Sequence, residues 1–279
     1  MPGILYVVAT PIGNLEDVTL RALRVLREVS LIAVEDTRRT ARLLQHYSIP
    51  TPTTSLHAHN ERTKTAGLIE RLRRGESIAL VSDAGTPVIS DPGVLLVSAA
   101  HREGIKVEPI PGPSAPIAAL SAAGVASDGF VFAGFPPARA NARKKWLQQW
   151  QDDDRAVVLF EAPHRIESFL RDLLLVLGDR MLTVARELTK AHGELVNRPT
   201  SQHLSEFREG RGEFTIILHP PVWTPSPKPE ALDPSIVRTE FGRLTDIEGL
   251  TRREALRSLA KKYGVPARQV YQMLEGHTP

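Results

Sequence analysis

Short apolar runs alternate with helix-period stretches through the first half of the chain. Residues 4–9, 31–34, 78–81, 106–110 and 129–135 read as strands, apolar and rich in Val, Ile, Leu and Phe. Between them, a helix is predicted from about Asp17, with Leu20, Leu23 and Leu26 at i, i+3 spacing. Further helices are predicted over 38–47 and over 64–74, the latter with Leu68, Ile69 and Leu72 on one face. Strands alternating with helices imply right-handed crossovers and a mostly parallel sheet covered on both faces. A second α/β unit is predicted after Phe135-Pro136-Pro137, with strands over 156–160, 182–186 and 214–218 and a helix over 165–177. Five prolines then fall within 220–229 and predict a stiff extended linker, because proline fits neither a sheet interior nor mid-helix. Beyond it the pattern is purely helical. The predicted organisation is an α/β domain over 1–135, a second over 136–219, a linker over 220–233 and a helical domain over 234–279.

Composition narrows this picture. The chain has 279 residues, 42% of them hydrophobic, enough to fill real cores in two domains and a small appendage. The formal charge of +3 permits a nucleic-acid partner without demanding one. There is no cysteine, which excludes disulfides, cysteine nucleophiles and cysteine-ligated metals. Residues 1–10 lack a basic n-region and a long apolar stretch, and no run approaches the roughly 20 apolar residues of a membrane helix. A soluble cytoplasmic protein is expected.

Three strand-then-loop units carry the candidate chemistry. They are Thr10-Pro11-Ile12-Gly13-Asn14-Leu15, Ser82-Asp83-Ala84-Gly85-Thr86-Pro87-Val88-Ile89-Ser90-Asp91-Pro92-Gly93 and Pro111-Gly112-Pro113-Ser114-Ala115. Ligands of open α/β sheets bind beyond the carboxyl ends of the strands, so one shared pocket is expected. The first loop lacks both nucleotide-binding glycine patterns, which leaves a nucleoside triphosphate without support. Asp83 and Asp91 have two readings, ligand-facing carboxylates or helix and turn caps, and Asp91 before Pro92 reads as a cap. Ser114 is a candidate N-cap that can also face the ligand. Glu35-Asp36-Thr37-Arg38-Arg39 is either a solvated helix start capped by Asp36 or a substrate-holding cluster. His57, His59, Asn60 and Glu61 tempt a metal reading, but no third ligand at recognisable spacing accompanies them. A substrate-facing loop is therefore preferred and no metal is expected. Arg139, Arg143, Lys144 and Lys145 read as a basic patch.

These loops, together with Phe160-Glu161-Ala162-Pro163-His164-Arg165 and Arg186-Glu187-Leu188-Thr189-Lys190, resemble the tetrapyrrole-methylase superfamily of S-adenosylmethionine (SAM) methyltransferases. Within it they are most similar to the branch that modifies small-subunit ribosomal RNA. The resemblance covers roughly residues 3 to 219. It implies two α/β domains with the cofactor cleft between them, a homodimer, and SAM held by Pro11, Asp83, Ala84, Gly85, Val88, Ile89, Ser114, Ala115 and Phe160. It also implies 2′-O-methylation of a cytidine ribose in the decoding region of 16S ribosomal RNA, free or in the assembled small subunit. Asp36, Arg38, His59, Asn60, Arg165 and Arg186 are the expected substrate contacts. A ribose hydroxyl needs a proton acceptor. The candidates are Glu35, Asp36, Glu187 and Lys190, the last if burial depresses its pKa, with Glu187 and Lys190 ranked first.

The sequence departs from the family where Ala191-His192-Gly193-Glu194 replaces a histidine with paired glutamates. A C-terminal helix-turn-helix-like pattern, 251–263, Gly264, then a helix through Leu274, carries Arg252, Arg253, Arg257, Lys261, Lys262 and Arg268. Nucleic-acid contact and helical packing are both open for it. Two other functions compete: a carbon methylase of a tetrapyrrole precursor, and a non-catalytic RNA-binding factor whose cofactor loops would be degraded. The loops here are intact.

Overall fold

A strand buried on both faces must be apolar at every position, and β2 (Leu31–Val34) and β4 (Ile78–Val81) are. Leu31, Ala33, Ile78 and Leu80 face one core. Ile32, Val34, Ala79 and Val81 face the other. The computed structural model describes residues 1–127, 129–207, 212–221, 234–263 and 265–275. These fall into two compact units, Met1–Pro221 and Val222–Pro279.

In the larger unit β1 (Leu5–Val8) is followed by a 3₁₀ turn at Leu15–Asp17 and α1 (Leu20–Glu28). The helix expected from Asp17 thus starts three residues later, where the Thr19 hydroxyl accepts from the Ala22 N–H at 3.1 Å. Then come β2, α2 (Thr37–His46), β3 (Thr53–Ser55), α3 (Glu61–Arg73), β4, α4 (Val94–Arg102), β5 (Val107–Ile110) and α5 (Ala115–Ala123). All pairings in this sheet are parallel, in the order β3-β2-β4-β1-β5. The chain leaves β1 toward β2 and leaves β4 toward β5, so these neighbouring strands send their loops to opposite sides. Such a switch point opens a crevice at the carboxyl ends.

The second sheet is built from β6 (Phe130–Phe132), β7 (Ala156–Glu161), β8 (Met181–Arg186), β9 (Glu194–Pro199) and β10 (Phe214–Leu218), ordered β6-β7-β10-β8-β9. Only β6 and β7 run parallel. Helices α6 (Ala140–Gln148), α7 (Ile166–Leu177) and α8 (Thr200–Glu206) complete the unit, and Leu147, Phe169, Leu170 and Leu173 cover one sheet face. The other face is covered by Ala119 and Ala123 of α5, packed on Ala156, Val158, Ala185 and Ile217. Because β6 pairs with β7, the second sheet begins before residue 136.

The smaller unit holds α9 (Pro234–Gly242), a π-helical turn at Arg243–Ile247, α10 (Arg252–Tyr263) and α11 (Ala267–Glu275). Val237, Leu244, Ala255, Leu259, Val265 and Val270 form its core. Thr251 and Glu254 make a reciprocal capping box ahead of α10. Arg252 pairs with Glu275 and Lys262 with Glu240, so part of the expected basic face is internally neutralised. The expected linker, apart from Pro220 and Pro221, and the expected turn at Gly264 lie outside the described residues.

Candidate active site

The three loops expected to share a pocket are hydrogen-bonded to one another. The Thr10 N–H donates to the Gly85 carbonyl at 2.9 Å, and the Gly85 N–H donates back to Thr10 at 3.0 Å. The Thr10 hydroxyl donates to the Ser82 carbonyl, and the Thr86 hydroxyl donates to the Pro113 carbonyl at 3.2 Å. The Asp36 N–H, after β2, donates to Asp83 Oδ1 at 3.0 Å. Four strand ends are thereby locked around a cavity of about 390 Å³, the size of a small-molecule site.

Of the expected cofactor residues, Asp83, Ala84, Gly85, Ile89, Ser114, Ala115 and Phe160 line this cavity; Pro11 and Val88 do not. Ser114 stands at the N-cap of α5 but makes no side-chain cap bond, so its hydroxyl is available to the cavity. The second sheet contributes Phe135, Phe160, Glu161, Leu188, Glu213 and Thr215. Phe135 and Phe160 stand 5.5 Å apart, centroid to centroid. Thr86 and Arg39 belong to segments read as candidates from sequence, whereas Phe135, Glu213 and Thr215 do not. Their position after a strand end or at a strand start is the one signal that marks them.

The cavity has an acidic end. Glu35, Asp83 and Asp91 all line it, and the nearby cation is Arg39, whose Nη1 lies 3.2 Å from Asp83 Oδ2. Burial, then the charge of Asp83, raises the Glu35 pKa. Burial pushes Asp91 up to about 6; a hydrogen bond with Ser82 opposes this and the charges of Glu35 and Asp83 reinforce it. Asp91 is not the helix cap expected of it. The buried Glu61 carboxylate caps α4 instead, accepting from Gly93 N–H at 3.0 Å and Leu95 N–H at 2.7 Å. The N-cap position falls on Gly93, two residues beyond Asp91, and the Glu61 side chain reaches in from α3.

The other expected residues are placed as follows. Asp36 caps α2, accepting from the Arg38 N–H at 2.8 Å and from the Arg38 guanidinium. Arg38 is 89% exposed. His59 is exposed, and Asn60 is engaged in its own turn, accepting from the His57 N–H at 2.8 Å. Arg165 lies 3.1 Å from the buried Glu161 and donates to the Pro136 carbonyl. Arg186 pairs with its cross-strand neighbour Glu194 at 2.8 Å. Arg143 does not join a basic surface: it is buried, and two of its nitrogens donate to Asp172 Oδ2. Among the described residues no group of three or more His, Asp or Glu could hold a metal, and no helix is long and apolar enough to cross a membrane.

Glu187 and Lys190 form an ion pair at 2.8 Å, and Lys190 also reaches Glu213 at 3.2 Å. Burial lowers the Lys190 pKa, but its bonds to Glu187 and Glu213 outweigh this and the net shift is upward. The condition for lysine to serve as a base, a depressed pKa, is not met. The bond from Lys190 likewise holds Glu187 low. Their loop is seated on the first one: a Cβ at Gly13 would lie 2.6 Å from the Leu188 carbonyl oxygen.

The site suits SAM. Two aromatic rings and Ile12, Ile89 and Leu188 offer an apolar wall for a purine, and the carboxylate end complements a sulfonium and an ammonium. The half-buried, under-compensated charge of Asp91 is the observation that asks for a cationic ligand.

Residues 4–204 match the family of tetrapyrrole (corrin/porphyrin) methylases. A ribosomal RNA small subunit methyltransferase I from Synechocystis is 47% identical over 97% of both chains. Its counterpart from Pseudomonas aeruginosa is 50% identical over 77% of this chain and 78% of its own. Among solved structures, uroporphyrin III C-methyl transferase of Thermus thermophilus superposes with a TM-score of 0.56 at 18% identity, covering 77% of this chain and 97% of its own. A complex of the Thermus enzyme with S-adenyl homocysteine gives 0.54 at 19% identity, covering 77% and 96%. Those two likenesses speak to the fold alone. The chain belongs to the tetrapyrrole (corrin/porphyrin) methylase family and is a SAM-dependent methyltransferase.

Proposed function

We propose that the acceptor is small-subunit ribosomal RNA, methylated on the ribose 2′-hydroxyl of a cytidine in the decoding region, in the cytoplasm and by a homodimer. The observation that carries this reading is the 47% identity to a small-subunit ribosomal RNA methyltransferase over 97% of both chains, a match too long to leave out the C-terminal helical unit.

When bound, SAM supplies an electrophilic methyl group on a sulfonium. The residues of this chain then do the positioning. The Thr10–Gly85 bridge and the Thr86–Pro113 bond fix the loop backbones before any ligand arrives, so little ordering is left for the reactive complex. Phe135 and Phe160 exclude water from one wall, and Glu35, Asp83 and Asp91 favour a positive centre at the other end. Arg38, exposed next to the cavity-lining Arg39, and the exposed His59 are proposed to meet the RNA backbone. Arg186 and Arg165 are proposed substrate contacts of the second sheet; both must first loosen from Glu194 and Glu161.

The test offers the full chain labelled SAM with assembled small subunits, free ribosomal RNA and a tetrapyrrole precursor. Label in an alkali-resistant internucleotide linkage is the expected result, since only 2′-O-methylation creates one. Label on the tetrapyrrole alone would overturn the reading. Sedimentation of the same preparation checks the dimer.

A further inference from the structure

Five carboxylates line the cavity, and three of them pair with a cation. Asp83 accepts from the Asp36 N–H and pairs with Arg39. Glu161, across the cavity, pairs with Arg165 and accepts from the Ala162 N–H at 2.8 Å. Glu213 pairs with Lys190. Glu35 accepts a backbone hydrogen bond from Asp83 and feels the charge of Arg39. Asp91, like Glu35, forms no ion pair among the described residues; Glu35 feels the charge of Arg39, whereas the groups that act on Asp91 are its burial, Ser82 and the charges of Glu35 and Asp83. Its backbone setting is costly. Val88 and Ser90 have φ of 74° and 67°, and Gly85 and Gly93 are also left-handed. Valine is β-branched, and such a conformation costs on the order of 1–3 kcal/mol. The far end of the loop is pinned by buried Glu61. A strained loop, anchored at Thr10–Gly85 and at Glu61–Gly93, delivers one unpaired carboxylate to the cavity.

We propose that Asp91 is the catalytic base that takes the proton of the methyl-accepting hydroxyl, with Glu35, which lines the same cavity, as a positioning residue. The inference rests on the ribose hydroxyl acceptor argued above. As the oxygen–methyl bond forms and the sulfonium–methyl bond breaks, the sulfur keeps the bonding pair and becomes a neutral thioether. The hydroxyl proton passes to an Asp91 carboxylate oxygen and from there to water. A carboxyl titrating near 6 is mostly ionised at neutral pH yet more basic than an ordinary aspartate, the balance a general base needs.

The experiment compares wild type, Asp91→Asn, Asp91→Glu and Glu35→Gln as full chains on assembled small subunits. SAM affinity is measured by calorimetry without acceptor, and the single-turnover rate at saturating SAM across pH. The Asp91 carboxyl is titrated directly by carbon NMR in wild type. We expect Asp91→Asn to bind SAM more weakly, measurable binding showing that it is folded, and to lose about 100-fold or more in rate at saturating SAM. Asp91→Glu recovers part of the rate. Glu35→Gln moves the acidic limb of the profile to lower pH by about half a unit to one unit, because a negative neighbour no longer raises Asp91. Asp91→Asn that retains its rate, or that loses affinity while keeping its rate at saturation, would overturn the base, as would an Asp91 carboxyl titrating near 4. If wild type itself puts no alkali-resistant label in RNA, the acceptor reading falls and takes the inference with it.

Discussion

One carboxylate cluster lines the cavity and a second reaches it through Glu213, and they differ in how their charges are paired. On the second sheet, Glu187 and Glu213 share Lys190, and every charge in the group has a partner. On the first sheet, Glu35, Asp83 and Asp91 share one arginine, 66% exposed, which reaches Asp83. Both clusters sit on strained backbone: Glu187 and Thr189 have φ of 51° and 65°, Val88 and Ser90 of 74° and 67°. Strain therefore does not distinguish them. Pairing does, because a salt-bridged carboxylate is held ionised and weakly basic, whereas a crowded, unpaired one is held near the pH at which it can exchange a proton. The paired cluster is suited to fastening the loop that closes over Gly13, and the unpaired one to chemistry or to a cationic ligand.

The largest way to break this contrast short of removing Asp91 is to cut its scaffold. Glu61→Ala leaves the Gly93 and Leu95 N–H groups without their acceptor. The Gly93 donor is buried and the Leu95 donor only partly so; at roughly 1–3 kcal/mol for an orphaned buried donor and less for one that water reaches, about 2–4 kcal/mol of stability should go, read by denaturant unfolding. A loss below about half a kcal/mol would show that water replaces the cap. Removing the unpaired charge should do the reverse. The folded pKa of Asp91, about 6, lies above its ordinary value of 3.8, so the folded chain holds more protons than the unfolded chain between those pH values. Its stability then falls as pH rises through that window. Asp91→Asn lacks this penalty, and after allowance for solvent screening it should be about 1 kcal/mol more stable than wild type at pH 8. The gain should vanish near pH 4. An equal or lower stability at pH 8 would contradict an uncompensated Asp91.

Much of this arrangement is legible in the chain. The runs at β2 and β4 are apolar throughout, that at β10 is apolar but for Thr215, and all three coincide with the strands residue for residue. The two strands that escaped notice are polar edges: β3 is Thr53-Thr54-Ser55, and β9 carries Glu194, Asn197, Arg198 and Pro199. Neither needs an apolar face, since each is paired on one side only. The loops that line the cavity are readable because glycine and proline punctuate them. Which charges are spent is not readable. Arg143 looks like its lysine neighbours until Asp172, 29 residues on, buries it, and Asp91 looks like a cap until Glu61 arrives from another helix.

Lys190→Met tests the paired cluster. Glu187 has a depressed pKa, so the bond contributes stability above the unfolded value of 4.5 and loses it as pH falls through the folded value. Lys190 has a raised pKa, and its share is lost only as pH rises through a value above 10.5. Between those limits the variant should be less stable by roughly 0.5–1 kcal/mol, a modest figure because both side chains are partly exposed, and the difference should shrink as pH falls below the folded value of Glu187. Its methyl-transfer rate at saturating SAM should stay within about tenfold; a loss as large as that of Asp91→Asn would return the base to this cluster.

The smallest effect belongs to a charge outside both clusters. Among the described residues Arg38 is bound only to Asp36, two residues away, in a pair open to solvent. Arg38→Ala should leave the melting temperature and SAM affinity where they are, since the Asp36 cap on the Arg38 backbone N–H survives the loss of the side chain. If the guanidinium meets an RNA phosphate, the variant should bind small-subunit RNA more weakly, and the slope of log affinity against log salt should shrink by about one. An unchanged slope would place the RNA elsewhere. The carboxylates at the cavity's acidic end would then be the part of this face that acts on substrate, with the arginine beside them only a helix-start charge.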